Sequence, residues 1–330
     1  MRATRPPTER AVRWGAGILF LAVGVLAFAT GPAGAVAPEV SRSVVSVLPT
    51  WPGQPEGGAP RVPPGTAPEG SAVAIRAGGY LVTALHVVAR ATAIAVRLPG
   101  GRLAPAVLVG RDPATDLAVL KVAADLPVLA DAPGEPALGA PVCALGNQFG
   151  LGLSLTCGVV SAVHRTGVGF NPIEDFVQTD ATVNPGASGG ALIDGENRLV
   201  GILSAIFTKE SDASIGVNFA VSIALARRVA ADLIDLGRVR RAPSGVRVRD
   251  LERAEQKAHV GARVVALVPG GAGERAGLAI GDLIMRVGVR PIHRASDVTG
   301  AFALRRPGDT VRLTVLRDGA DVPVKLVLPD

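Results

Sequence analysis

Three segments of the chain carry side chains that could act together in covalent chemistry. Tyr80-Leu-Val-Thr-Ala-Leu-His86-Val-Val places a histidine at the end of an apolar run. Asp112-Pro-Ala-Thr-Asp116-Leu-Ala-Val-Leu places an acid at the entry to another, and Asn184-Pro-Gly186-Ala187-Ser188-Gly189-Gly190-Ala-Leu sets a serine inside a glycine turn. A serine hydroxyl is a weak nucleophile near neutral pH until an adjacent imidazole removes its proton. The imidazole needs a carboxylate on its other nitrogen, which fixes the tautomer and stabilises the imidazolium. Glycines beside the serine let two backbone N–H groups converge where an oxyanion forms, and here those amides belong to Gly186 and Ser188. Each segment alone has a plainer reading: a packed core histidine, a turn acid after Asp112-Pro113, a common glycine turn. The order histidine, aspartate, serine, with gaps of 30 and 72 residues, is far more specific than any one of them. An esterase of the α/β-hydrolase type fits worse, because it runs serine, acid, histidine and seats its nucleophile between a strand and a helix.

The elements that must position these groups are mostly strands. From Ser71 to about Val221 the chain shows short runs of β-branched and apolar residues, such as 72–75, 80–82, 94–98, 117–122, 142–145 and 199–203, punctuated by turn signals such as Gly78-Gly79 and Asp194-Gly195. Short strands at this spacing predict an all-β barrel or sandwich, and the amphipathic helices that a parallel βαβ sheet requires are missing. Residues 39–49 hold a further Val-rich strand candidate, and 51–70, with six Pro and five Gly, read as a loop. Ser222 to Leu236 predicts a helix: Ile223, Val229, Ala230, Leu233 and Leu236 recur at three- and four-residue steps, Ser222 caps the start and Gly237 ends it. The expected domains are therefore 38–237, a basic linker at 238–244, and a separate unit at 245–330.

Composition narrows the class. With 330 residues, 48% hydrophobic and 19% charged, the chain has the means to bury a core. Aromatics make up only 3%, a poor supply of stacking platforms for single strands. Half of the net charge of +6 falls in residues 1–37, and elsewhere arginines are spread among acids, so no nucleic-acid partner is expected. Residues 1–37 join Arg2, Arg5, Arg10 and Arg13 to the apolar run Ile18–Ala29 and a small-residue end with Ala33, Ala35 and Ala37. That is either a secretory signal or a single membrane anchor, and both leave the rest of the chain outside the cytoplasm, in a periplasmic or other extracytoplasmic space. Beyond this segment no membrane contact is expected. Two cysteines and four histidines make no metal-ligand spacing, so neither a metal nor a cofactor is expected. Cys143 and Cys157 flank the Gly-rich segment 146–152; they are either bridged across a hairpin or two small buried apolar residues.

The chain resembles the HtrA (DegP-like) family of trypsin-fold serine proteases with a C-terminal PDZ domain over roughly residues 39–330. The segments around His86, Asp116 and Ser188 carry the resemblance, with Ala144-Leu-Gly-Asn-Gln-Phe-Gly-Leu-Gly and Val264-Val-Ala-Leu-Val-Pro-Gly-Gly through Gly277, Gly281 and Asp282. It implies a mainly β fold, two six-stranded barrels followed by an α+β PDZ domain. It implies that His86 is the general base, Asp116 its orienter and Ser188 the nucleophile. Val183 matches a position lining the primary specificity pocket, which favours small aliphatic substrate side chains. Leu203, Ser204 and Ala205 lie on the segment whose backbone pairs with extended substrate. Ser244, Gly245 and Val246 match the PDZ loop that holds a peptide carboxylate.

The implied activity is an exported endopeptidase for unfolded or damaged polypeptides, with C-terminal peptides read at the PDZ domain and trimers as the family's assembly. Two positions depart from the pattern. Ala187 stands where the family usually has Asn, which removes a side chain able to hold the turn, and Ser244 replaces a large apolar residue. Ala187 and the poor aromatic content motivate an alternative of a different class, a proteolytically dormant PDZ scaffold or chaperone.

Overall fold

The computed structural model describes residues 37–52, 69–206 and 216–330. The N-terminal segment 1–36 and most of the Pro-rich loop, 53–68, lie outside the described residues. Among the described residues no helix is long and apolar enough to cross a membrane.

Within these residues the chain forms two closed six-stranded barrels and then a mixed sheet-and-helix domain. A short helix, α1 (Pro38–Ser43), leads into the first barrel. Its strands are β1 (Val44–Thr50), β2 (Gly70–Arg76), β3 (Tyr80–Ala84), β4 (Ala93–Arg97), β5 (Leu103–Asp112) and β6 (Leu117–Val122), closed in the order β1-β2-β3-β6-β5-β4, with helix α2 (Leu85–Val88) after β3. The second barrel contains β7 (Pro141–Gly146), β8 (Ser154–Arg165), β9 (Phe176–Thr179), β10 (Ala191–Asp194), β11 (Leu199–Ile206) and β12 (Asn218–Ser222), in the order β10-β11-β12-β9-β8-β7. Helix α3 (Ile223–Leu236) follows. The first part of the expected strand at 39–49 is thus helical. Pro38 at the helix start supplies a fixed φ, and Glu39 in the first turn suits the positive end of the helix.

Period-two alternation explains why these strands read as continuous apolar runs. Val45, Val47, Ala72, Ala74, Leu81 and Leu120 point into the first barrel. Their neighbours Val44, Val73, Val82, Leu117 and Val119 point outward, yet they are equally buried, packed with Leu145, Phe176, Ile202 and Val221 of the second barrel. Leu225, Val229 and Leu233 of α3 close this seam. At about 1.5–3 kcal/mol per fully buried aliphatic side chain, the seam is a major source of stability. Helix α3 begins and ends as its sequence predicts. Ser222 Oγ accepts from the Leu225 amide at 3.3 Å, and Gly237, with φ 70°, donates its amide to the Leu233 carbonyl.

Of the two readings of the cysteines, the structure shows the bridge. Cys143 on β7 lies opposite Cys157 on β8, and the two are joined in a disulfide.

The last domain is a sheet of β13 (Val246–Asp250), β14 (Ala262–Leu267), β15 (Leu283–Val287), β17 (Thr310–Arg317) and β18 (Ala320–Val327), in the order β13-β14-β15-β17-β18. The short β16 (Arg290–Pro291) pairs with β15, and helices α4 (Ala272–Arg275) and α5 (Ala295–Ala303) cover the sheet. This domain is docked on the second barrel. Ala303 joins the seam cluster, and Gly300 lies so near the Glu174 carbonyl that a Cβ there would come within 2.5 Å of it.

Charge completes the docking. A bulge in β8 throws His164 into left-handed backbone, φ 52°, and re-aims its ring. Nδ1 then lies 2.7 Å from Asp175 and Nε2 2.6 Å from Glu135. Asp175, fully buried, also accepts from Ser222 Oγ at 2.7 Å and, across the domain boundary, from Arg290 Nη1 at 2.8 Å. Burial opposes the charge on His164, but the bond and charge of Asp175 and the bond to Glu135 outweigh burial and the repulsion from Arg290, so its pKa is raised. Burial likewise opposes the Asp175 carboxylate, and His164 and Arg290 outweigh it and hold its pKa below the usual value.

The signs fix a stability profile. His164 contributes stability that is complete below its unfolded pKa of about 6.5 and fades as pH rises through the higher folded value. Asp175 contributes stability that is present above about pH 3.9 and is lost as pH falls through its depressed value. The unfolding temperature should therefore fall on both the acid and alkaline sides, and His164→Gln should flatten the alkaline arm; an unchanged arm in thermal melts across pH would refute the assignment. Arg290→Met leaves Asp175 charged, buried and short of a partner, and should cost about 3–5 kcal/mol in denaturant unfolding.

Candidate active site

The candidate histidine and its carboxylate come from the first barrel. His86 lies in α2, directly after β3, and Asp116 immediately precedes β6, the neighbour of β3 in the barrel. Asp116 has φ 56°, a conformation that aspartate tolerates better than most residues. The turn before it is tied by Thr115 Oγ1 donating to Asp112 at 2.6 Å. This geometry aims the Asp116 carboxylate back at α2. One oxygen accepts the His86 backbone amide at 2.9 Å and the other lies 2.5 Å from His86 Nδ1. The Asp116 carbonyl also accepts the Leu85 amide at 2.7 Å, so histidine and aspartate are joined through side chain and backbone together. With Nδ1 occupied, a neutral ring keeps Nε2 as its acceptor.

The serine comes from the second barrel, in the turn 184–190 that precedes β10. Gly186 (φ 94°) and Gly189 (φ 85°) occupy backbone that other residues avoid, and space forbids side chains as well. A Cβ on Gly189 would fall 2.0 Å from the Ser71 carbonyl and 2.4 Å from Thr83 Oγ1, and one on Gly186 2.2 Å from the Asn147 carbonyl. Gly189 also abuts the amide of Ala84, two residues before His86, which is how the serine turn meets the strand that leads to His86. Ser188 Oγ donates to the Ser204 carbonyl at 3.3 Å. Among the described residues the amides of Gly186 and Ser188 donate to no protein acceptor, while their neighbours Ala187, Gly189 and Gly190 do. Two free donors, one on the serine and one two residues before it, have the chemistry of an anion cradle.

The remaining expected residues fall in different surroundings. Val183 is buried among Val142, Val160, Val177 and Leu203 of the second barrel, beside Ala187. Leu203 and Ser204 are buried on β11 at a bulge next to the serine turn, and the side chain of Ala205 lies outside the described residues. Ser244 and Gly245 precede β13, the edge strand of the last sheet, and Val246 opens it. Ser244 Oγ already accepts the Val246 amide at 3.3 Å. Beside them a cavity of about 210 Å³ opens between β13 and α5, lined by Val248, Val298 and Phe302 with the cationic Arg241 and Arg305 at its rim. Arg241 also reaches Asp112 at 2.5 Å, at the foot of the turn that bears Asp116.

Sequence reasoning passed over Ser71, Thr83 and Asn147, which surround the serine turn. Ser71 and Thr83 are polar residues in otherwise apolar strand runs, and both are fully buried. A buried hydroxyl in a strand must find a partner, and that was the available signal. Asn147, in the β7–β8 hairpin loop, shapes the loop by accepting from the Gly152 amide at 2.8 Å and donating to Glu69 at 2.6 Å.

Comparison with known proteins follows the same lines. Residues 70–202 match the trypsin-like peptidase domain and residues 244–328 the PDZ domain. The chain is 35% identical over 268 residues to the periplasmic pH-dependent serine endoprotease DegQ of Escherichia coli, covering 78% of this chain and 59% of that protein. It is 35% identical to the serine endoprotease DegS of E. coli, covering 79% of this chain and 76% of that protein. It is 34% identical to the serine protease PepD of Mycobacterium tuberculosis, covering 91% and 71%. It thus spans less than two thirds of DegQ but most of DegS and PepD. Among solved structures, the HtrA-type protease AlgW with a tripeptide superposes with a TM-score of 0.67 at 35% identity, covering 88% of this chain and 94% of that one. Two barrels, a trailing PDZ domain and these relatives together make the chain a member of the HtrA family of trypsin-like serine proteases.

Proposed function

We propose that the chain is an exported serine endopeptidase that cleaves unfolded or damaged polypeptides through an acyl-enzyme. The observation that carries the reading is the bond of His86 Nδ1 to Asp116 beside a serine turn with two free amides. His86 Nε2 takes the proton of Ser188 Oγ as the oxygen attacks the scissile carbonyl, and Asp116 stabilises the imidazolium that results. The amides of Gly186 and Ser188 receive the developing oxyanion. Collapse expels the amine, which takes the proton from His86, and water then repeats the sequence on the acyl-enzyme. Val183, matched through the family resemblance to a position of the primary specificity pocket, is apolar and branched and favours small aliphatic side chains before the scissile bond, and residues 203–205 supply backbone for an extended substrate. Periplasmic relatives and the Cys143–Cys157 disulfide support an oxidising, extracytoplasmic setting.

At the PDZ domain, the open edge of β13 beside an apolar cavity suits an added C-terminal peptide strand, with Arg241 and Arg305 favouring its negative charge. A trimer is the assembly that the family implies. The dormant-scaffold alternative keeps one observation in its favour: the Ser188 hydroxyl is held by the Ser204 carbonyl, so it must rotate before the imidazole can take its proton.

A serine-directed fluorophosphonate probe should label the wild type and spare Ser188→Ala, and casein cleavage should fall roughly a million-fold in that variant. Equal labelling of both proteins would sink the enzyme reading, and a wild type inert to probe and casein alike would favour the scaffold. Mapped casein cuts should cluster after Val, Ala and Ile; cuts after Lys or Arg would reject the role given to Val183. Ser244→Leu should tighten binding of an apolar-ended C-terminal peptide about tenfold in fluorescence anisotropy, the effect of burying one aliphatic side chain; unchanged affinity would place the peptide elsewhere.

A further inference from the structure

Catalysis at Ser188 needs two amides that stay free and stay aimed, and the peptide planes around them must not flip. The four carbonyls from Pro185 to Ser188 are all pinned. The Pro185 carbonyl accepts the Phe149 amide at 2.7 Å, and the Ala187 carbonyl accepts the Gly190 amide at 2.8 Å. The other two, those of Gly186 and Ser188, are both held by one residue of the opposite barrel. Ser71 Oγ donates to the Gly186 carbonyl at 2.8 Å, and the Ser71 amide donates to the Ser188 carbonyl at 2.8 Å. Ser71 is itself fixed: its Oγ accepts the Asn147 amide at 2.8 Å, its carbonyl accepts Thr83 Oγ1 at 2.7 Å, and its side chain is fully buried.

We propose that Ser71 is the positioning residue of the oxyanion turn, holding the Gly186 and Ser188 carbonyls away from the site so that the amides of Gly186 and Ser188 remain its donors. The inference rests on the reading of Ser188 as nucleophile. Its logic is geometric. Gly186 has no side chain to resist rotation, and the Ala187 methyl offers no polar atom to fix the peptide between them. That peptide is held at its amide end by Ala187 donating to the Asn184 carbonyl at 3.0 Å, and at its carbonyl end by the Ser71 hydroxyl. Without the hydroxyl, a glycine-flanked peptide is free to turn its carbonyl toward the place where negative charge forms. A carbonyl there repels an oxyanion, so the loss falls on the transition state and leaves ground-state binding intact.

The test compares wild type, Ser71→Ala and Ser71→Thr, with concentrations set by active-site titration and thermal melts alongside. Ser71→Ala keeps the backbone bond to Ser188 and loses the hydroxyl. It should lower kcat about 100-fold, in the range of a lost oxyanion donor, with KM little changed. Affinity for a peptide aldehyde, which builds the tetrahedral adduct, should fall by the same factor as kcat/KM. Affinity for a non-covalent substrate peptide, measured on the Ser188→Ala background, should not move. Ser71→Thr retains the hydroxyl and should keep kcat near wild type; this variant decides the matter if Ser71→Ala does not fold, and a 100-fold loss in it would count against the inference. A Ser71→Ala enzyme with normal kcat per titrated site, even if fewer sites titrate or the melt shifts, would overturn it. Ser188→Ala runs as the control: cleavage retained there removes the nucleophile and this inference together, whereas an inert Ser188→Ala beside a fully active Ser71→Ala removes this inference alone.

Discussion

Val73, Val82, Leu117 and Val119 of the first barrel face Leu145, Phe176, Ile202 and Val221 of the second across a seam that excludes water. The groups at the rim of that seam are held in place by packing that neither barrel supplies alone. His86 and Asp116 belong to one side and the serine turn to the other, and the strands bearing them are buried on both faces. That double burial makes register costly to change, because a one-residue slip would exchange the inner and outer sets of side chains. The rigidity of the site is therefore a property of the seam as well as of the glycine turn.

A second, charged contact sets where the PDZ domain stands. Asp175 is fully buried and surrounded by His164, Ser222 and Arg290, one of them from the far domain. A buried ion cluster of this kind adds little net stability over an apolar replacement, because desolvation offsets the attraction. What it supplies is a single acceptable arrangement, since moving Arg290 away leaves a carboxylate with no water to replace it. The pair Arg241–Asp112 and the contact of Thr166 with Asp297 at 2.5 Å act at other points of the same boundary. The domain that could read a peptide is thus joined by short polar contacts to the turn that carries Asp116.

Much of this was legible from residue order. The β-rich middle, the meeting of His86 with Asp116 and α3 with its serine and glycine caps all followed from motif, periodicity and turn chemistry. Other features were not, for identifiable reasons. Residues 39–43 fell within the strand expected at 39–49 because of Val40, Val44, Val45 and Val47, yet Pro38 and Glu39 favour a helix start, and local capping outweighed composition. The disulfide required knowing that β7 and β8 pair with Cys143 opposite Cys157, a register that spacing alone leaves open. Ser71 and Thr83 offered only the signal of a hydroxyl in an apolar strand, because their partners lie over a hundred or a dozen positions away, on carbonyls that every residue possesses. His164 escaped notice because its partners are a distant glutamate, an aspartate and, through that aspartate, an arginine of another domain.

The division of the site between barrels also sets when it can exist. Histidine and aspartate emerge early from a ribosome, but the serine turn is shaped only when β10 is flanked by β7 and β11, and that barrel closes through β12, which ends at Ser222. A nascent chain shorter than this has the histidine–aspartate pair without the serine turn. A nick that separates the barrels divides the same groups between two pieces, so the site is whole only when both barrels are.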